Sequence, residues 1–148
     1  MNLQAGTLLA CTDPEDVHFG GALVYLVEYD QHGAVGVIVN KPFGRSLNEL
    51  QEFRHCPAFP LHKGGPVDTE HLFFLHRSPG LISAGTAAGT FYWGGNFEDA
   101  VRGVNNKTLT PADLKIFVGY CGWDAGDLEK EINSGGWTIS EGSTDKVF

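Results

Sequence analysis

The chain has little positive charge, and none of it comes in runs. Its 10 lysines and arginines stand singly against 18 aspartates and glutamates, for a formal net charge of -8. Nucleic-acid binding draws on clustered cations that displace phosphate counterions, so direct binding of DNA or RNA is not expected. No apolar run approaches the roughly 18 residues that a spanning helix needs. Met1 to Gln4 lack the basic start and apolar stretch of a signal peptide. No membrane association is expected, and the cytoplasm is the expected location. Cysteine is scarce too. Cys11, Cys56 and Cys121 are an odd number at wide spacing, which fits free thiols in a reducing compartment better than a disulfide framework.

The common catalytic signatures are missing as well. The sequence has no phosphate-binding loop, no dinucleotide glycine fingerprint, no nucleophile-elbow pentapeptide and no zincin motif. No cofactor is expected. Six histidines raise the question of a metal. His71 and His76 would point to opposite faces of one strand. His55, Cys56 and His62 share a proline-rich loop but have no second paired half to complete a tetrahedron. Surface histidine is the expected role.

What the chain does have is glycine. Its 20 glycines are about twice the average share of roughly 7%. They include the pairs Gly20-Gly21, Gly64-Gly65, Gly94-Gly95 and Gly135-Gly136, which mark tight turns, bulges or close backbone approach. With 148 residues the chain is long enough for one domain, 1–148, that buries about 70% of its unfolded surface.

Apolar and β-branched runs predict strands at Gly6–Cys11, Ala22–Tyr29, Ala34–Asn40, His71–His76, Phe91–Trp93, Leu114–Tyr120 and Trp137–Ile139. The four residues Asp30 to Gly33 read as a turn, which makes the second and third strands an antiparallel hairpin. Gly36 within it predicts a bulge or bend. Lys41 to Gly44 reads as a break. Ser46 and Glu49 form a capping box opening a short helix to about Phe53, and Cys56 to Leu61 reads as loop. Gly80 to Thr90 is small and polar with a strand nucleus only at Leu81-Ile82, and is expected to be loosely held. Phe97, Val101 and Val104 share a helical face from about Asn96 to Gly103. A second helix runs from Gly126 to Ser134, with Leu128 and Ile132 inward and Gly135 as terminator. Strands outnumber helices, so the expected class is α+β: a bent mixed sheet with a few short flanking helices.

Gly119 to Ile132, GYCGWDAGDLEKEI, is the most distinctive stretch. It reads as a strand ending at Tyr120, a turn over Gly122 and Gly126, and a helix capped by Asp124. Helix amides at such a turn attract anions, but Asp124 and Asp127 would satisfy and repel them. Cys121 at this turn reads as a small apolar filler, with a reactive thiol as the competing role. A small-molecule ligand or a protein partner is expected in a cleft made of Asn40, the turn Gly64, Gly65, Pro66 and Val67, and the loop Gly119, Tyr120, Gly122, Trp123 and Asp124. An alternative is a hydrolase that takes its acid and base from Asp13, Glu28, Asp30, Asp124 and Asp127. Oligomeric state is not legible.

Taken in order, GTLLA, EYD..GAVGVIVNKP, GGPV followed by LFFLH, and GYCGWDAGDLEKEI resemble the AlgH/YqgE family of bacterial proteins over nearly the whole chain. The resemblance implies a mixed, bent sheet forming an open pseudo-barrel flanked by helices. It implies no established catalysis, and a transcriptional-regulator label that rests on no DNA-binding motif. Four departures stand out. Gly20-Gly21 replaces the family's Arg-Ser, Tyr29 a histidine and Asp127 a glutamine, and the family pattern continues past the position of Phe148, so the chain reads as short at its C-terminus.

Overall fold

The computed structural model describes residues 3–17, 19–140 and 146–148. Its strands are β1 (Leu8–Cys11), β2 (Leu23–Asp30), β3 (Gly33–Ile38), β4 (Pro42–Ser46), β5 (Pro60–Lys63), β6 (Val67–His76), β7 (Thr86–Ala88), β8 (Phe91–Trp93), β9 (Leu114–Asp124) and β10 (Trp137–Ser140). The helices are α1 (Phe97–Asn105) and α2 (Asp127–Asn133). The strands form one curled sheet in the order β10-β1-β2-β3-β9-β6-β8-β7, with β4 and β5 attached at β9. Pairing is antiparallel except between β5 and β9. The result is a half-barrel of the α+β class. Across its interior the Tyr25 hydroxyl donates to the Ala88 carbonyl at 2.5 Å.

β9 organises the fold because it changes partner halfway. Along one edge its first half pairs in parallel with β5, Ile116 to Val118 opposite Leu61 to Lys63. Its second half pairs antiparallel with β3, Cys121 to Asp124 opposite Gly36 to Gly33. The exchange occurs at Gly119, whose φ of 75° is open to glycine at little cost. A left-handed residue also resets the pleat. Before it Phe117 points into the barrel while Ile116 and Val118 point out; after it Tyr120 points in while Cys121 and Trp123 point out. The period-2 alternation of one strand is thus broken once, and each half keeps its apolar side chains on covered faces.

Both faces of the curl are covered, which explains the near-continuous apolar runs in β2 and β9. Tyr25, Val37, Val39, Leu75, Phe91 and Phe117 fill the interior with Val147. Outside, Ala100 and Val104 of α1 pack with Phe74, Leu114 and Ile116. Leu128 of α2 packs with Leu9, Val24, Leu26, Ile38 and Trp137. Each fully buried side chain of this size contributes about 1.5–3 kcal/mol of burial free energy. The Asn96 side chain caps α1 by accepting the Asp99 amide at 3.0 Å. Gly135 ends α2 with φ 88°.

Several sequence expectations are corrected. The break at Lys41 to Gly44 is instead the start of β4, and the Cys56 to Leu61 loop already contains the start of β5. Their ladder is sparse, with partners only at Pro42–His62 and Ser46–Pro60, and this irregular pairing tolerates proline. The helix expected up to Phe53 is two 3-10 turns, Leu47–Glu49 and Gln51–Phe53, though the capping box at Ser46 and Glu49 is present. The Leu81-Ile82 nucleus is a turn, in which the Ile82 amide donates to Ser78 at 2.9 Å. The strand of that segment is β7, four residues later, where the β8 aromatics supply a partner. Gly36 does mark a bulge: one extra residue of β2, Val27, is accommodated between the pairs Leu26–Gly36 and Glu28–Val35.

Candidate functional site

The largest correction falls on the stretch from Gly119 to Ile132. β9 does not end at Tyr120; it continues to Asp124 because β3 offers Gly33 to Gly36 as a ladder partner. The cap of α2 is Gly126, with φ 85° and no side-chain cap bond, and Asp124 lies in the strand. Cys121 is accordingly a strand residue, 1% exposed, and its thiol donates to the Gly64 carbonyl at 3.4 Å. Burial pushes this thiol up to about 12, which suppresses the nucleophilic thiolate. The filler role stands and the reactive role does not.

The glycine pair of β5's exit belongs to the same joint. The Gly64 amide donates to Val118 at 2.9 Å and its carbonyl accepts from Ile38 at 2.8 Å, so this residue bridges β9 and β3 where they diverge. A Cβ on Gly64 would lie 2.3 Å from the Gly119 carbonyl oxygen, and one on Gly65 2.2 Å from the Tyr120 carbonyl carbon. Gly64, Gly65 and Gly119 therefore hold backbone against backbone. Tyr120 turns inward, with its ring 5.1 Å from that of Phe73.

Beyond the joint, Pro66, Val67, Gly122, Trp123 and Asp124 come together around a shallow hollow of about 260 Å³. Phe19, Cys121, Asp127 and Glu131 complete it. Trp123 meets Trp137 edge to face at 6.0 Å, and Trp137 meets Phe19 at 5.3 Å. The Trp137 indole N–H donates to Glu131 at 3.0 Å, which fixes that carboxylate at the rim. Asp124, Asp127 and Glu131 make the lining acidic, and among the described residues it contains no lysine or arginine. Asn40 is not part of this lining. Its amide donates to the Gly21 carbonyl and its oxygen accepts the Leu23 amide, both at 2.9 Å, so it ties the start of β2 to the end of β3.

The remaining carboxylates of the hydrolase alternative lie elsewhere. Asp13 accepts the Glu15 amide at 2.9 Å and Asp30 the His32 amide at 2.8 Å, both as turn formers. Glu28 is exposed on β2. Among the described residues no group of three or more His, Cys, Asp and Glu is arranged to hold a metal ion. His71 is exposed and bound to Asp68 at 2.6 Å, and His76 is buried, donating to or accepting from main-chain neighbours. His62 has a buried Nδ1 without a partner among the described residues, and burial, assisted by the Lys115 charge, lowers it to about 4. No described helix is long and apolar enough to cross a membrane.

Sequence reasoning missed a larger feature. Two open hollows of about 580 and 490 Å³, both lined by Phe53 and Phe97, lie side by side along a groove-like surface of the 3-10 turns, β6 and α1. Phe97 and Val101 carried a signal, the helical i, i+4 spacing, but that spacing reads equally well as a fully buried stripe.

The comparisons with known proteins agree with this architecture. The family model described as DUF179, AlgH-like, matches residues 7–148. A UPF0301 protein of Chlorobium phaeobacteroides is 33% identical over 156 residues, covering 99% of this chain and 79% of the relative. The solution structure of the AlgH protein from Pseudomonas aeruginosa superposes with a TM-score of 0.76 at 25% identity, covering all of this chain and 85% of that one. A crystal structure of a Corynebacterium diphtheriae protein shares the fold at TM-score 0.76 and 16% identity, covering 99% of this chain and 80% of that one. With a family model spanning all but its first residues, the chain belongs to the AlgH-like family.

Proposed function

We propose that this chain is a non-catalytic binding module whose ligand sits in the hollow at the end of β9. The observation that carries the reading is the meeting of Pro66, Val67, Gly122, Trp123 and Asp124, from two separated sequence motifs, around one aromatic-walled depression. Its chemistry selects a ligand class. Asp124, Asp127 and Glu131 oppose an anion, and the indole face favours a flat or cationic group. The ligand is therefore a neutral or positively charged small molecule, or a basic side chain of a protein partner. A regulatory role exercised through such a ligand or partner is compatible with the net charge of -8, whereas direct DNA contact is not. The hydrolase alternative is left with Asp124 and Asp127. Both are exposed, and it is burial that divides a carboxylate pair into acid and base.

A thermal-shift screen of metabolites tests the proposal. A ligand present at 100 times its Kd adds about 2.7 kcal/mol of stability, which raises Tm by about 5–10 °C for a domain of this size. Neutral and cationic compounds are expected among the hits, with the shift lost in Trp123→Ala. The reading fails if nothing shifts the melting temperature, or if the hits are anions that stabilise Trp123→Ala equally.

A further inference from the structure

The groove between the 3-10 turns, β6 and α1 shares no lining residue with the hollow at Trp123. Its apolar surface comes from Phe43, Leu50, Phe53, Leu72, Phe97 and Val101. Phe53 and Phe97 meet edge to face at 5.7 Å, and Phe97 leans on buried Phe74 at 5.8 Å. The surface is thus anchored in the core beneath it, yet Phe43 remains 37% exposed and the other five stay half-buried. Preformed apolar grooves of this kind take the apolar face of a partner segment.

The rim decides which partner. Glu52, Glu70 and Glu98 are exposed and carry no ion pair among the described residues. The two positive groups of the lining are engaged, Arg102 with Asp99 at 3.1 Å and His71 with Asp68 at 2.6 Å, and Arg54, next to Phe53 in the chain, does not line the groove. The Asp68 contact raises the His71 imidazole, and the Glu70 charge adds to that. A second copy of the chain docking by the same face would set these carboxylates against each other. An anionic membrane or a nucleic acid would be repelled for the same reason.

We infer that this groove docks a basic amphipathic segment of a partner protein, held as a short helix whose apolar anchors lie along Phe53, Leu72, Phe97 and Val101 while its Lys and Arg side chains reach Glu52, Glu70 and Glu98. The apolar contacts supply affinity, and the carboxylates supply orientation and on-rate.

Selection from a phage library of random peptides of about twelve residues, long enough for three helical turns, on immobilised full-length chain tests this. The selected peptides are expected to be positively charged, with large apolar residues three or four positions apart. A synthetic copy should move the amide resonances of Phe53, Leu72 and Val101, and bind more weakly as salt rises. Val101→Glu should weaken it by at least about tenfold, as for a central anchor. The triple variant Glu52→Lys, Glu70→Lys, Glu98→Lys touches only exposed side chains; with Glu98 in the first turn of α1 it should lower Tm by no more than about 4 °C and weaken binding as much. The inference is overturned if no peptide is enriched over the bare surface, or if enriched peptides are acidic or uncharged. It is also overturned if the triple variant binds as well as the wild type, if the peptide maps to Trp123, or if the groove residues mediate self-association in sedimentation.

Discussion

Replacing single glycines in the stretch Gly119 to Gly126 by alanine separates three structural roles that look alike in the sequence. At Gly119 an alanine would have to keep a φ of 75°, which costs an L-residue about 1–2 kcal/mol. Its methyl would also stand 2.4 Å from the Gly65 carbonyl oxygen and 2.9 Å from that of Val67. Those are backbone atoms of paired strands, so the joint must shift, and overpacking of this kind typically costs about 1–3 kcal/mol. The sum is about 2–5 kcal/mol, or a fall in Tm of about 4–20 °C. Gly126 has φ 85° but open space around it, so Gly126→Ala should cost only the conformational part, about 1 kcal/mol. Gly122 has ordinary dihedrals and its nearest neighbour, Tyr120 Cε1, at 3.7 Å, so Gly122→Ala should stay within about 0.5 kcal/mol of wild type. Urea denaturation followed by tryptophan fluorescence measures all three. Equal costs at Gly119 and Gly122 would refute the assignment of Gly119 as the point where β9 exchanges partners.

Three further outcomes follow from the same fold. Alkylation with iodoacetamide, read by mass spectrometry, should modify half-buried Cys11 in the native protein, with Cys56 and Cys121 reacting only on unfolding; native labelling of Cys121 at the rate of Cys11 would contradict its place in the strand. The unfolded His62 imidazole takes up a proton near 6.5 but the folded one only near 4. The unfolded state therefore binds more protons in that window, and stability complete above pH 6.5 should fall as pH drops toward 4. His62→Gln should flatten that part of a chemical-denaturation pH series, and an unchanged slope would count against the burial of His62. Asn40→Ala removes two hydrogen bonds between the ends of β2 and β3 and should cost about 1 kcal/mol. It should leave binding at the hollow intact, and a lost thermal shift in this variant would return Asn40 to the site.

Much of the fold was legible because local patterns carried it. The β2–β3 hairpin, the Gly36 bulge, α1 and the Gly135 terminator all rest on signals a few residues long. What was not legible depended on partners distant in sequence. The extension of β9 to Asp124 is dictated by Gly33 to Gly36, some 90 residues away by the register, and without that ladder Gly122 and Gly126 read as a turn. β4 and β5 were hidden by prolines that an irregular ladder accepts. The candidate site divided in the same way. Pro66, Val67, Gly122, Trp123 and Asp124 share a surface, while Gly64, Gly65 and Gly119 serve the backbone joint and Asn40 a strand end. Glycine motifs signal close approach equally for a ligand and for the protein's own chain.

The central claim, that ligand binding occurs at the end of β9, is tested most directly by titrating ¹⁵N-labelled protein with the most stabilising compound from the thermal screen. The Trp123 indole N–H and the amides of Val67, Gly122 and Asp124 should move saturably together, with those of Asn40 and Phe53 unmoved. A saturable response elsewhere, with the Trp123 indole resonance unchanged, would contradict the account.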